Sequence, residues 1–287
     1  MEVLLNSNPE DFCEKAEPLL LPKEACNNLA LGLLNRLKEN VQGPMEAKPY
    51  LGMVKKKGEL IYIFLQTPPN NLILPEVANA DEAVYEKIAE YLHKQGIVIP
   101  GVLGPKKAAL AFATHWRKLT GEAFEVHMEQ LIYRLESVSV RAVDKGRGSL
   151  KRADKEHQNL IMKWLVLFGQ EAGEPILEVQ AEKMADNFIS TGSCYLWMVD
   201  HNPVAMVNQS RKSKNGVTIN GVYTPNEHKR KGYATAAVAA LSQQLLDQGY
   251  SFCSLYTDKS NPTSNSIYSK IGYQPVGESI VYQFQTT

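Results

Sequence analysis

The sequence has few of the features that mark secreted, membrane-spanning or nucleic-acid-binding proteins. Its 287 residues include four cysteines, which are scattered and form neither a Cys-x-x-Cys pair nor a zinc-ligand spacing. No apolar run approaches the length of a membrane span, and the opening MEVLLNSNPEDF has no basic segment of the signal-peptide type. The 31 basic and 31 acidic residues give a net charge of +0, so no global positive charge favours nucleic acid. We therefore expect a cytoplasmic protein that binds neither membranes nor nucleic acids.

The common catalytic and cofactor motifs are also missing. There is no G-x-x-x-x-G-K-[ST] loop, no H-E-x-x-H and no G-x-S-x-G. The six histidines include no two-histidine metal spacing. These absences argue against phosphate-loop nucleotide chemistry, zinc proteolysis and serine hydrolysis, and we expect no metal.

One stretch that is present combines a strand, a basic loop and a helix. Val217–Tyr223 is rich in β-branched apolar residues and predicts a strand, which ends near Pro225 because proline has no N–H to donate. Three basic residues, 229–231, precede Gly232, and apolar residues then recur at helical spacing up to Gly249. The first N–H groups of a helix have no partner in the chain, and glycine lets an anion approach them closely. The pattern therefore predicts a phosphate site.

A second strand and helix follow directly. Phe252–Tyr256 predicts the strand, and Asn261 with Pro262 predicts the helix start, with asparagine as the N-cap and proline at the first helical position. Tyr268 lies about two turns into this helix, which Gly272 ends.

Together the two stretches resemble the signatures of the GNAT N-acetyltransferase superfamily, over residues 140–287. The first signature, Arg/Gln-x-x-Gly-x-Gly/Ala after a strand, falls on residues 229–234, with Lys229 where arginine or glutamine is usual. The second signature, Asn-x-x-Ala/Ser-x-x-x-Tyr-x-x-x-Gly-Phe/Tyr, is filled from Asn261 to Tyr273.

The resemblance implies acetyl-CoA as the co-substrate and divides its contacts between two parts of the chain. Backbone groups at the end of the central strand would align the pantetheine arm, and the basic loop with the first helical turn would bind the pyrophosphate. The start of the second helix would touch the coenzyme as well. The implied coenzyme-binding residues are Val222, Tyr223, Thr224, Lys229, Arg230, Lys231, Gly232, Tyr233, Ala234, Asn261 and Ser264.

The resemblance also implies that Tyr268 is the general acid, with its hydroxyl near the coenzyme sulfur. A phenol with an ordinary pKa of about 10 is protonated at neutral pH and can donate to a thiolate. The alternative interpretation is an aromatic core residue on the apolar face of the helix. The general base is not assigned, because the central strand offers Asn220 and Tyr223 but no acid. Glu182 and a chain of water molecules both remain open.

The order of predicted elements indicates two copies of one αβ unit. Residues 1–136 predict two helices, a strand hairpin, a helix at 81–95, a strand at 97–102, a helix at 106–119 and a strand at 124–135. Residues 137–287 predict β-α-α-β-β-β-α-β-α-β, the order of the GNAT fold. We expect an α/β (α+β) class with two GNAT-like domains, each a mixed, mostly antiparallel sheet flanked by helices.

The two predicted domains differ in their expected function. The 1–136 domain is predicted to be degenerate, because two adjacent prolines and no Gly-x-Ala occupy the segment between Leu65 and Asp81. The 137–287 domain is predicted to bind acetyl-CoA. The expected activity is acetyl transfer to a primary amine by direct attack in a ternary complex, on a small-molecule or peptide acceptor, with a homodimer as one compatible assembly.

Two other classes of function stay open at this stage. A non-catalytic acyl-CoA-binding sensor or interaction protein would account for the missing base and the degenerate half. A nucleic-acid modifier would use the basic residues 229–231, but the zero net charge and the lack of interleaved aromatic residues argue against it.

Overall fold

The computed structural model describes residues 1–38, 48–139 and 147–285. Within these ranges it contains eight α-helices, none of them long and apolar enough to cross a membrane. The helices are α1 (Pro9–Leu20), α2 (Asn28–Lys38), α3 (Glu82–Lys94), α4 (Lys106–Thr120), α5 (Gln158–Ala172), α6 (Glu178–Ser190), α7 (Tyr233–Asp247) and α8 (Pro262–Ile271). The strands are β1 (Glu2–Leu5), β2 (Tyr50–Lys56), β3 (Glu59–Gln66), β4 (Leu72–Ile73), β5 (Gly101–Gly104), β6 (Ala123–Leu135), β7 (Ser149–Arg152), β8 (Cys194–Val199), β9 (Asn202–Lys212), β10 (Gly216–Tyr223), β11 (Phe252–Asp258) and β12 (Gln274–Gln285).

The same order of elements occurs twice along the chain. β1 to β6 with α1 to α4 form the first half, and β7 to β12 with α5 to α8 repeat the order β-α-α-β-β-β-α-β-α-β. The order predicted for the second half is therefore confirmed. In the first half, β1 and β4 were not predicted, and β5 begins at Gly101 rather than at Ile97.

All twelve strands belong to one mixed sheet, ordered β1-β2-β3-β4-β5-β12-β6-β11-β10-β9-β8-β7. Two neighbouring pairs are parallel, β4 with β5 and β10 with β11, and they occupy the same place in the two halves. The other neighbouring pairs are antiparallel. The mixed, mostly antiparallel class is therefore confirmed.

The two halves exchange their last strands. β6, from the first half, lies between β11 and β12, the last two strands of the second half. β12 lies in turn between β5 and β6. The cross-pairing is long, because β12 pairs with β6 from Gln274 to Gln285. The boundary at 136/137 stays a prediction, but the regions on its two sides share one sheet and complete each other.

Each half buries one helix pair on each face of the sheet. In β8, Tyr195 and Trp197 pack in the cluster that contains α7 and α8 residues, whereas Cys194 and Leu196 pack against α5 and α6. Successive residues of a strand point to opposite faces, so the two helix pairs cover opposite faces of the sheet. The first half repeats this arrangement, with α3 and α4 on one face and α1 and α2 on the other.

Candidate active site

The central feature of the second half is an opening between the parallel strands β10 and β11. The two strands are paired at Gly216 with Phe252, at Val217 with Cys253 and at Thr218 with Ser254, and no further. The hydroxyls of Thr218 and Ser254 lie 3.1 Å apart and form a hydrogen bond at the last paired position. Beyond that point the facing backbone groups of the two strands do not pair with each other. A ligand can therefore place a chain between them.

A β-bulge shapes the β10 side of the opening. β10 pairs with β9 at Asn220–Asn208 and next at Tyr223–Met206, so β10 contains one extra residue. Gly221 adopts φ +57 within the bulge, where an added Cβ would also lie 3.4 Å from the Cβ of Asn208. The bulge bends the end of β10, where the predicted pantetheine contacts lie.

The three predicted pantetheine residues differ in their environments. Val222 is half-buried against the core cluster on the α7 and α8 face. Tyr223 is buried, its ring centroid lies 6.1 Å from that of Trp164, and burial raises the pKa of its hydroxyl. The Oγ1 of Thr224 is shielded from solvent and has no hydrogen-bond partner among the described residues. This hydroxyl, just after the end of β10, is free to form a hydrogen bond with a ligand.

The start of α7 is open in the way an anion site requires. Gly232 is the N-cap, with φ +82, and no side chain caps the helix. The first turn contains no acidic residue, and no heavy atom lies within 4 Å of an added Cβ at Gly232. The free N–H groups and the positive end of the helix dipole therefore face open space.

The corresponding helix of the first half is closed to an anion. The carboxylate of Asp81 caps α3, where its Oδ1 accepts a hydrogen bond from the N–H of Val84 at 3.2 Å, and Glu82 adds a second acid in the first turn. The strands beside it also stay together, because the N–H of Leu74 donates to the carbonyl of Leu103 at 2.9 Å. These contacts support the prediction that the first half binds no coenzyme.

The basic residues ahead of α7 have different partners. Lys229 forms an ion pair with Glu171 of α5 at 2.7 Å, so its charge is already neutralised. Arg230 and Lys231 are exposed and form no ion pair with another described residue. Arg230 adopts φ +62, and the half-buried ring of Tyr233 lies 6.4 Å from that of His228. Of the three charges, those of Arg230 and Lys231 are available to phosphate.

At the start of α8, the side chain of Asn261, a predicted coenzyme contact, caps the helix. The Oδ1 of Asn261 accepts a hydrogen bond from the N–H of Ser264 at 3.0 Å, and Pro262 is the first helical residue. This is the predicted N-cap. The Oγ of the half-buried Ser264 makes no hydrogen bond to another described residue.

Tyr268 lies on the buried face of α8 and is 8% exposed. Its ring centroid lies 6.1 Å from that of Tyr133 and 6.0 Å from that of Tyr273. Its hydroxyl makes no hydrogen bond to a described residue. Burial raises the pKa of Tyr268 to about 12, so the ordinary value assumed from the sequence is wrong. The phenol is protonated at neutral pH, but it is a weaker acid than expected.

The face of the opening that lies away from α7 and α8 is polar. Asn208, which is 2% exposed, accepts a hydrogen bond from the Oγ of Ser193 and donates one to the Oδ1 of Asn220, each at 2.8 Å. Asn220 is exposed, and its amide nitrogen makes no hydrogen bond to a described residue. Neither Asn208 nor Ser193 was singled out from the sequence, because nothing local marks a buried polar residue in a strand.

The general base stays unassigned among the residues that the structure describes. Glu182 is exposed on the outer face of α6, away from the cluster that α6 buries. Glu76 lines a cleft under the start of α2 together with Tyr256 of β11. Across the described ranges, no group of three or more metal-ligating side chains comes together.

A family model and several solved structures both support the fold. Residues 195–281 match the family model described as FR47-like protein. No curated protein matches the chain by sequence. The whole chain is similar in structure to a GNAT-family acetyltransferase from Colwellia psychrerythraea, which has 12% identity, coverage of 100% of both chains and a TM-score of 0.60.

Two further structures are similar to this chain over nearly their whole length. A tandem GNAT protein from the clavulanic acid biosynthesis pathway has 12% identity, coverage of 98% of this chain and 97% of its own, and a TM-score of 0.61. A GCN5-related N-acetyltransferase from Sphaerobacter thermophilus has 11% identity, coverage of 98% and 95%, and a TM-score of 0.64. These likenesses, with the FR47-like match, confirm the resemblance to the GNAT superfamily and establish the tandem GNAT fold.

Proposed function

We propose that this chain, which has the tandem GNAT fold, transfers an acetyl group from acetyl-CoA to a primary amine. The observation that carries the proposal is the opening between β10 and β11, which lies beside the uncapped start of α7. One groove thus combines free strand backbone with free helix N–H groups, and we assign to it the phenol of Tyr268 on α8. In the transfer, the amine nitrogen bonds to the thioester carbonyl carbon and loses a proton, the carbon–sulfur bond breaks, and the thiolate gains a proton.

The residues around the groove fit the coenzyme that the fold implies. Its pyrophosphate would meet the free N–H groups at the start of α7 and the charges of Arg230 and Lys231. Its pantetheine amides would pair with the unpaired backbone of Val222 to Thr224. The chain itself mainly positions the two reactants, which can supply a large part of the rate enhancement. Tyr268 would donate a hydrogen bond to the departing sulfur.

One observation favours a second candidate, a non-catalytic acyl-CoA sensor. No carboxylate lies on β10, and Glu182 is exposed away from the groove. A protein with the coenzyme site but without a route for deprotonating the amine would bind acetyl-CoA and leave it intact.

An acetyl-CoA turnover assay separates the two candidates. The protein is incubated with acetyl-CoA and a panel of small amines, amino acids and lysine peptides, with thiol release and the mass of the acetylated amine as readouts. Calorimetry with CoA is run in parallel. Acetylated amine supports the transferase, whereas CoA binding without any acetylated product favours the sensor. A protein that binds no CoA would overturn both.

A further inference from the structure

The face of the opening that is polar also contains a positive charge without a partner. Arg211 lies at an irregularity of β9, between the residues paired with Val217 and Thr218, and adopts φ +27. Its guanidinium carbon lies 5.5 Å from the ring centroid of Tyr256. Its Nε is shielded from solvent and has no hydrogen-bond partner, and no carboxylate forms an ion pair with it among the described residues. Burial lowers the pKa of Arg211, and the nearby Arg36 lowers it further.

Arg211 is half-buried, and a nitrogen that is shielded from solvent normally has a hydrogen-bond partner. Arg134 in the same sheet provides a direct comparison. Its guanidinium also lies over an aromatic ring, that of Phe252 at 4.4 Å, but it forms an ion pair with Glu136 at 2.7 Å. The fold thus supplies a carboxylate to one stacked arginine and none to the other.

The first half of the chain holds Arg211 in place. Gly32 of α2 lies directly against it, because a Cβ added at Gly32 would be 2.7 Å from the Cγ of Arg211. The Nδ2 of Asn35, also in α2, donates to the carbonyl of Lys212 at 2.7 Å and fixes the helix on the same strand. The contact between the two halves therefore fixes the position of Arg211.

The guanidinium of Arg211 reaches the open part of β11 through its contact with Tyr256. Tyr256 is two residues past Ser254, the last residue of β11 that pairs with β10, so it belongs to the open part of the strand. Its neighbour Leu255 packs on the α7 and α8 face, so Tyr256 points to the opposite face. The hydroxyl of Tyr256 donates to the carbonyl of Cys26 at 2.8 Å, which leaves its ring as the support for the guanidinium.

We propose that Arg211 recognises the acceptor through an anionic group, so that the acceptor is an amine that also carries a carboxylate, as an amino acid does. The inference rests on the proposed acetyl transfer and specifies its substrate class. A carboxylate can accept two parallel hydrogen bonds from a guanidinium, and this pairing fixes orientation as well as adding affinity. The amine of the same molecule then stands at the opening, beside the exposed amide of Asn220.

The test compares amino acids with their α-amides, which have the same side chain but no carboxylate. The readout is the ratio of kcat/KM for the acid to kcat/KM for the amide, measured for each variant against the wild type. Comparing ratios removes the difference in basicity between the two amines. Because hydrogen bonds to charged groups are the stronger ones, we expect Arg211→Met to lower this ratio by about ten- to a hundredfold. Arg211→Lys, which keeps the charge but not the paired geometry, should lower it less.

Arg134→Met is the matched control, because it removes an arginine that stacks on Phe252, in the paired part of β11, and that already has a carboxylate partner. It should cost stability and leave the acid-to-amide ratio unchanged. If Arg211→Met slows both substrates equally, Arg211 is a packing residue and the proposal is wrong, while acetyl transfer stands.

A binding measurement keeps the inference testable if the variants do not fold or no amine turns over. The wild-type protein saturated with CoA is titrated with N-acetylated amino acids and with their amides in a calorimeter. Tighter binding of the acids, lost as chloride is replaced by excess acetate, supports the anion site. Equal binding of acids and amides overturns it, whatever the turnover assay shows.

Discussion

Replacing Tyr268 by phenylalanine separates catalysis from packing, because the chain provides a matched control in the same core. Tyr268 and Tyr273 have ring centroids 6.0 Å apart, and both are nearly fully buried. Their hydroxyls differ: that of Tyr273 lies 2.9 Å from the Oγ of Ser242, whereas that of Tyr268 has no described partner. The same chemical change therefore removes a hydrogen bond at one position and none at the other.

The expected stability changes follow from this difference. Tyr273→Phe loses one buried hydrogen bond and should cost about 0.5–1.5 kcal/mol. For a chain of this size, that lowers Tm by about 2–4 °C per kcal/mol. Tyr268→Phe removes a hydroxyl that makes no hydrogen bond to a described residue, so the free energy of unfolding should change little.

The expected effect on kcat is the reverse, because Tyr268→Phe should slow the reaction. General acid catalysis is typically worth about 10²–10⁴ in rate. The pKa of Tyr268, about 12, lies above that of an ordinary thiol, about 8.5, so full proton transfer to the thiolate is uphill. A donated hydrogen bond is the better description, and we expect Tyr268→Phe to lower kcat at least about tenfold rather than by the full factor. Thiol release gives kcat, calorimetry gives the CoA affinity, and thermal denaturation gives Tm.

Two outcomes would refute this reasoning. If Tyr268→Phe melts lower and keeps its kcat, Tyr268 is a core residue and not the acid. If Tyr273→Phe loses kcat to the same extent, the rate depends on core packing in general and the hydroxyl of Tyr268 has no special role.

Three further predictions test the rest of the structure. Gly232→Asp should weaken CoA binding at least about tenfold more than Gly232→Asn in calorimetry, because both add a side chain at φ +82 but only aspartate repels phosphate; equal losses would contradict an anion site. Residues 137–287 expressed alone should fail to fold by circular dichroism, because β11 and β12 lose the strand between them, and a folded fragment would contradict this. Burial raises the pKa of the Cys253 thiol from an ordinary 9.0 to about 12, so its contribution to stability is complete below pH 9 and is lost as the pH rises to about 12. That loss is about 1.4 kcal/mol per pH unit, and Cys253→Ala should flatten the alkaline fall of stability by this amount in denaturant titrations.

Local features of the fold could be predicted because their causes are local. Asn8 and Asn261 each precede a proline, and each caps its helix through its own Oδ1. Gly121 and Gly272 end helices in the left-handed conformation that glycine adopts without strain. The order of elements in the second half followed from such signals and from hydrophobic spacing.

The features that could not be predicted depend on contacts distant in sequence. The exchange of β6 and β12 leaves no local trace, because each strand has the same alternation whichever neighbour it pairs with. β4 has only two residues, too few for a periodic pattern. Arg211 looks like any surface arginine in the sequence, and its contact with Gly32 depends on how the two halves pack together.

The same contacts explain why the first half has to be present although its own α3 is closed to an anion. The carboxylate of Glu24, which is 8% exposed, accepts hydrogen bonds from the backbone and side-chain N–H groups of Asn215, at 2.7 and 2.8 Å. Asn215 directly precedes β10, so the first half anchors the strand that borders the opening. It also supplies β6 to the sheet and a carbonyl, that of Cys26, to the hydroxyl of Tyr256. The first half therefore supports the groove of the second half through packing and hydrogen bonds rather than through coenzyme binding.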